Sequence, residues 1–270
     1  VSMSSKLRLL LDSAPFSNVD SQILAEQEDA IAAWQLDVGR ELAAENIPSA
    51  HVVLVVDGTL RVSGRDAMGN PFTLRRIHAG EWWGLWSALS GVSAATCRTT
   101  ESTKLLAVPV ELWQHWFRSS PELAKWLEAH PQREDLYAAL RPLLAERPRQ
   151  DRTFLDEIDQ LQASLRALQL RDASDLDGLK AADPGISWLL PSVSHLLPDL
   201  EPYALEGLSP STLQRAFERS NHGLRLVGYP TAVLQELFDP SVPAASPSAD
   251  AGLNEAGSSA NSDVVEALPD

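Results

Sequence analysis

Between Ser49 and Glu81 the chain alternates short β-branched runs with glycine turns, and no other stretch restricts its fold as tightly. His51 to Val56 is dense in valine, Asp57-Gly58 is a favoured two-residue hairpin turn, and Thr59 to Val62 reads as the returning strand. Gly69-Asn70-Pro71 is a second turn signal, followed by a strand from Phe72 to Ile77. Short strands at this spacing, separated by glycine turns, fit a roll, barrel or sandwich. The adjacent bases Arg75 and Arg76 read as a solvated strand edge, with an anion or partner contact as the other reading.

The stretch that follows, Gly80 to Arg98, opens on a glycine turn and passes through Trp82, Trp83 and Trp86. Gly84 and Gly91 bracket Leu85 to Ser90, the length of one helical turn, and a strand begins near Thr96. A glycine-led backbone entering a short helix presents N–H groups to an anion. From Trp82 to Cys97, however, there is no Arg, Lys, Asp or Glu. Such an apolar cradle holds a phosphate poorly. Trp82 and Trp83 are candidates for lining an apolar pocket; together with Trp86 they read alternatively as a plug that fills the site.

With the strands before it, this stretch resembles the phosphate-binding cassette of the cyclic-nucleotide-binding domain family, the β-roll of bacterial catabolite regulators and of kinase and channel regulatory subunits. Three landmarks fall in the family's order. Phe16-Ser17-Asn18-Val19 followed by a helix is similar to its opening turn and helix, Val38-Gly39-Arg40-Glu41-Leu42 to a strand start, and Val52 to Val62 with Asp57-Gly58 to its hairpin. The resemblance runs over residues 8–129. It implies that Gly84 keeps the cassette glycine while Leu85 stands where the family's ribose-binding Glu belongs, followed by Trp86. Ala95-Thr96 keeps the Ala-Thr, but Ser93-Ala94 stands in place of Pro-Arg, whose Arg pairs the cyclic phosphate. Two charge-assisted hydrogen bonds at about 1.5–3 kcal/mol each amount to roughly two to four decades of affinity. Binding of cyclic AMP or cyclic GMP is therefore not expected.

The 270 residues carry a formal net charge of -15, which disfavours a duplex nucleic-acid surface. The single cysteine, Cys97, excludes an intramolecular disulfide and reads as a buried small hydrophobe. The apolar run Val52 to Val56 is far too short to span a bilayer, and the N-terminal residues lack a signal-peptide body, so a cytoplasmic, bacterial-type protein is expected.

Around the β-rich centre the pattern is helical. Leu7 to Leu11 begins a short helix, and a second is expected from about Ser21 to Ala33, burying Ile23, Leu24, Ile31 and Trp34. Pro109 to Phe117 forms a helix that packs Leu112, Trp113 and Trp116, and Ser120-Pro121-Glu122 starts another. Pro131 and Pro142 interrupt the place where the family's closing helix would run. Residues 131–240 read as a mainly helical second unit. Its best amphipathic segment is 151–170, with Phe154, Ile158, Leu161, Leu165 and Leu168 as a core face or a homodimer seam. Ser209 to Arg219 followed by Leu224 to Val227 looks like a recognition helix and wing, with Gln214, Arg215 and Arg219 as DNA contacts. Residues 241–270 read as a disordered acidic tail or linker.

No catalytic motif survives inspection: the six histidines have no metal-ligand spacing, and there is no HExxH, Gly-x-Ser-x-Gly or P-loop. Neither a metal nor a cofactor is expected. The sequence points to an α+β protein with a β-roll of residues 1–130, acting as a non-catalytic regulatory or docking module with a degenerate nucleotide pocket. Its partner would be a protein or the other domains of a larger assembly, such as a bacterial exporter. The alternative is a catabolite-type transcription regulator.

Overall fold

The computed structural model of the chain describes residues 4–65, 69–145, 161–162, 164–170, 185–190, 210–219 and 224–233. Helix α1 (Ser5–Leu11) is capped by the Ser4 side chain. After a 3-10 turn at Phe16–Asn18, helix α2 (Ser21–Ala25) starts where Asp20 Oδ1 accepts from the Gln22 amide at 2.9 Å. The helix expected to reach Ala33 stops at Ala25, and Ala32–Leu36 is strand β1. Pairing decides this: Trp34 lies opposite Leu105 in an antiparallel ladder, and that partner outweighs the helical spacing of Ile31 and Trp34.

The remaining strands of the roll are β2 (Glu41–Ala43), β3 (His51–Asp57), β4 (Leu60–Arg65), β5 (Pro71–Ile77), β6 (Trp82–Trp83), β7 (Thr96–Thr99) and β8 (Thr103–Pro109). They form two four-stranded antiparallel sheets, β1-β8-β3-β6 and β2-β7-β4-β5. The Asp57-Gly58 turn is therefore not a hairpin. It carries the chain from one sheet to the other, because β3 pairs with β8 and β6 while β4 pairs with β5 and β7. Gly58 has φ +92°, and a Cβ there would lie 2.7 Å from Thr103 Oγ1, so this corner accepts only glycine without rearrangement. The hairpin in this region is β4–β5, with Leu60 opposite Ile77.

The valine run of β3 is buried on both faces. Val53 and Val55 enter one apolar cluster with Leu60, Val62, Leu74, Ile77, Cys97 and Leu105, which fills the space between the sheets. Val52 and Leu54 enter a second cluster with Leu10, Phe16, Leu24, Trp82, Trp86, Trp113 and Trp116. That second cluster joins α1 and α2 to helices α4 (Val110–Ser119) and α5 (Pro121–Ala129). Phe16 sits at its centre, with its ring 4.7 Å from Trp82 and 5.6 Å from Trp116. Ser120 precedes α5 without a side-chain bond to its backbone; the hydroxyl donates to Glu122 at 2.9 Å instead.

Helix α6 (Arg133–Ala145) follows at once and continues past Pro142, so the proline does not break it as the sequence suggested. Its anchors lie before that point. Leu136, Tyr137 and Leu140 are fully buried in the inter-sheet cluster, and Tyr137 Oη accepts from the Arg65 amide at 2.7 Å. Gly64 makes room for the Tyr137 ring.

Beyond α6 the described residues add helix α7 (Pro210–Arg219) and a three-stranded antiparallel sheet of β9 (Arg166–Leu170), β10 (Ile186–Leu189) and β11 (Leu224–Pro230), in the order β10-β11-β9. This sheet corrects two expectations. Leu165 and Leu168 are not on one continuous helix 151–170, because Arg166–Leu170 is a strand whose Leu170 faces Leu224; residues 151–160 lie outside the described residues. The stretch after α7 is not an exposed wing either. It is the central strand, with every residue from Leu224 to Tyr229 buried. Leu161, Leu165, Leu189, Val227 and Tyr229 share the inter-sheet cluster with the roll. The acidic tail 241–270 lies outside the described residues.

Candidate functional site

The site is built on the loop between β6 and β7. Gly84, at φ +89°, turns the chain into helix α3 (Ser87–Ser90), and Gly91, at φ +87°, ends it as a left-handed C-cap. Groups outside the loop hold it from behind. Trp113 Nε1 donates to the Leu85 carbonyl at 3.0 Å, Gln114 Nε2 to the Ala88 carbonyl at 3.0 Å, and Trp82 Nε1 to Ser13 Oγ at 3.0 Å. Ser93 is 1% exposed; its N–H donates to Ile47, its carbonyl accepts from the Asn46 amide, and its hydroxyl donates to the Ala95 carbonyl at 2.6 Å. Both Ser93 donors are thus spent inside the fold.

In front of the loop lies a cavity of about 570 Å³. Of the residues singled out in the sequence, Gly84, Leu85, Trp86, Ser93, Ala94, Trp82 and Trp83 line it, whereas Ala95 and Thr96 do not. Ala95 is in the inter-sheet core, and Thr96 begins β7. Trp82, Trp83 and Trp86 line the cavity and are at the same time buried in the two core clusters. Gln214, Arg215 and Arg219 belong to α7, where Arg215 and Arg219 are exposed and do not line the cavity.

The opposite side of the cavity is charged, which the cassette sequence alone did not reveal. Arg75 comes from β5, and Glu134, Asp135 and Arg141 come from α6. A bulge places Arg75 there. Val62 faces Arg75 but Ser63 faces Thr73, so Leu74 is the extra residue, and the alternation that buries Phe72 and Leu74 resets to turn Arg75 and Ile77 inward. The expected solvated edge therefore holds for Arg76 only, which is exposed. The missed signal was the break in period between Leu74 and Ile77. Arg75 Nε donates to Glu134 Oε1 at 2.7 Å, and Arg133 reaches the Leu74 carbonyl at 2.7 Å, so β5 and α6 are clamped together.

A third arginine arrives from the sheet that follows α6. Arg225 on β11 donates from Nε to Asp135 Oδ1 at 3.1 Å and from Nη2 to Asp135 Oδ2 at 2.7 Å. Its Cζ lies 3.0 Å from the centroid of the Trp86 ring. Asp135 Oδ2 also accepts the Gln132 amide at 3.0 Å. One buried carboxylate thus ties the start of α6, the cassette and β11 together. Arg141 pairs with Glu45, and Glu45 also accepts from Tyr137 Oη at 3.2 Å.

These pairings show in the acidities. Burial by itself lowers the Arg75 pKa, but the Glu134 and Glu81 carboxylates outweigh it and raise it. Burial pushes the Arg225 guanidinium down against the opposing pull of Asp135. Beneath the site, burial and the nearby Glu134 charge push the Cys97 thiol well up, which keeps it neutral. Three polar atoms at the site are buried without a hydrogen-bond partner: Trp86 Nε1, Glu134 Oε2 and Arg225 Nη1. Among the described residues no group of His, Cys, Asp and Glu could hold a metal ion. No described helix is long and apolar enough to cross a membrane.

Two facing antiparallel sheets, a glycine-bracketed short helix between β6 and β7, and a helix closing over it define a β-roll of the cyclic-nucleotide-binding type. Solved structures with this likeness include the N-terminal domain of a transcriptional regulator from Streptomyces coelicolor A3(2), at 25% identity over 44% of this chain and 84% of that one, TM-score 0.37. The sensor domain of the transcriptional regulator DNR from Pseudomonas aeruginosa is similar at 15% identity over 46% and 88% of the two chains, TM-score 0.41. A cyclic nucleotide-binding-like protein from Brucella abortus is similar at 16% identity over 43% and 99%, TM-score 0.36. No protein-family model and no curated protein matches the sequence.

Proposed function

We propose that this chain is a non-catalytic regulatory module whose β-roll cavity does not take a cyclic nucleotide, and whose second unit responds to the state of that cavity. The observation that carries this reading is the pairing of every guanidinium at the site. Arg75 is held by Glu134, Arg141 by Glu45 and Arg225 by Asp135. A cyclic phosphate entering here would meet guanidiniums that each already pair with a carboxylate, which weakens their attraction for a second anion, and Arg225, whose Nη1 has no partner, does not line the cavity. The cassette offers no replacement, since Leu85 and Ala94 occupy the places of the family's charged contacts.

The Asp135–Arg225–Trp86 contact supports the coupling half of the proposal, because it joins cassette, closing helix and β11 in one buried network. Protein contacts are then the output, to further domains or to a larger assembly such as an exporter. The DNA-binding alternative loses its support in the burial of β11, which leaves α7 without a wing. Titration calorimetry with cyclic AMP and cyclic GMP tests the cavity directly. No heat is expected up to millimolar ligand, and micromolar binding of either nucleotide overturns the proposal.

A further inference from the structure

The polar groups that the fold leaves unmatched are gathered mostly in one place. Among the described residues six buried side-chain atoms lack a hydrogen-bond partner. Four of them, Trp86 Nε1, Glu134 Oε2, Arg225 Nη1 and Tyr229 Oη, belong to the cassette, the first turn of α6 and β11, the three elements that Asp135 and Arg225 join. The alternation of β11 explains the grouping. Arg225, Val227 and Tyr229 share one face of the strand; Val227 and Tyr229 pack in the inter-sheet cluster, and Arg225 reaches Asp135 and Trp86. That face therefore carries a guanidinium and a phenol into the interior together.

Arg225 commits Nε and Nη2 to Asp135, which leaves Nη1 and the Tyr229 hydroxyl with nothing to bond. Burial, reinforced by the Asp135 charge, pushes the Tyr229 phenol up, so its hydroxyl stays protonated and enters the seam between β11 and the roll as an unused donor. Each of these groups would gain water if β11 moved off the roll. Hydration therefore favours opening, while the ion pair and the apolar contacts of Val227 and Tyr229 favour closure. The valine core differs: β3 and β8 contribute none of the six unmatched atoms, and each pairs with a strand on both sides. A seam held between opposing effects opens more readily than such a core.

We propose that the sheet of β9, β10 and β11 is a detachable arm, which opens from the roll while the roll stays folded and is latched by the Asp135–Arg225 pair. Opening uncovers Trp86 and Asp135, and because both also line the cavity, the position of the arm sets the wall that a ligand meets. This rests on the coupling reading given above and names the part that moves.

Native-state hydrogen exchange of the full chain, followed by mass spectrometry at increasing urea, tests it. Amides of β9, β10 and β11 are expected to exchange at least about a hundredfold faster than those of β3 and β8, and with a weaker dependence on urea. Asp135→Asn, which breaks the latch at constant size, should speed exchange of the sheet about tenfold. Tyr229→Phe, which deletes one unmatched group and keeps the ring, should slow it several-fold. Trp116→Phe serves as the control, because Trp116 Nε1 is buried and unpartnered in the other cluster; it should leave exchange of the sheet unchanged. Exchange of all five strands at one rate and with one urea dependence overturns the inference and leaves the anion-excluding reading standing. A sheet whose exchange ignores either Asp135→Asn or Tyr229→Phe, or follows Trp116→Phe, also overturns it. Early exchange of the sheet in a sample that binds cyclic AMP at micromolar concentration supports the inference and overturns the anion-excluding reading.

Discussion

The two sides of the cavity were made in different ways. The cassette side is continuous in sequence from Trp82 to Ala94, carries no charge, and is shaped by two glycines at positive φ. The facing side is assembled from β5, α6 and, behind Trp86, β11, and it carries paired charges. The difference teaches that a motif read along the chain describes only the half of a site that the chain builds locally. The absence of charge in the cassette was a correct observation, yet it did not describe the site.

This contrast makes graded expectations for stability. The largest effect falls on the charged side: Asp135→Ala strands Arg225, a residue 3% exposed, and should cost about 3–5 kcal/mol in urea unfolding. The double change Asp135→Leu with Arg225→Met should regain most of that loss, since an apolar pair of similar bulk removes the unpaired charge. If the single change costs under about 1 kcal/mol, the buried pair is not what joins α6 to β11. On the apolar side, Trp113→Phe keeps a ring but leaves the Leu85 carbonyl without its donor, and about 1–2 kcal/mol is expected by the same measurement.

A pH experiment probes the closing helix. An unfolded tyrosine ionises near its ordinary value of about 10, whereas burial pushes Tyr137 up to about 12. Between those values the unfolded chain loses its proton first, so stability should fall as pH rises through that window. Tyr137→Phe should flatten that limb, although Tyr229, whose pKa burial also raises, keeps part of it. An unchanged alkaline limb would show that α6 is not held through this phenol. The smallest effect belongs to a pair outside both sides: Arg98 and Glu41 have side chains 59% and 40% exposed, and Arg98→Ala should cost about 0.5 kcal/mol or less.

How much of this was legible follows from range. The valines of β3, the glycine brackets of α3 and the strand at Thr96 were readable because local spacing specifies them. The end of the expected helix, residues 166–170, and the wing after α7 were misread because β11 captures both neighbouring strands, and a three-stranded pairing between β9, β10 and β11 leaves little trace in any window of sequence. Arg75 was misassigned for a subtler reason. Its inward direction depends on a bulge opposite Val62 and Ser63, and only the misfit between Leu74 and Ile77 in the alternation recorded it. Glu134 and Asp135 carry no motif of their own in the sequence, and only the placement of α6 brings them to the cavity.

The corner at Gly58 has a kinetic consequence. Because the chain changes sheets there, β3 cannot fold back on its successor; its partners are β8 and β6, and β1 must wait for β8, with Ala32 meeting Ala107. Among the roll's pairings only β4 with β5 closes over a short loop. Most of the ladder thus forms only after long segments have been brought together, an entropic toll that precedes any contact energy. A chain wired in this way should fold slowly for its size, with the β4–β5 hairpin as its earliest native element.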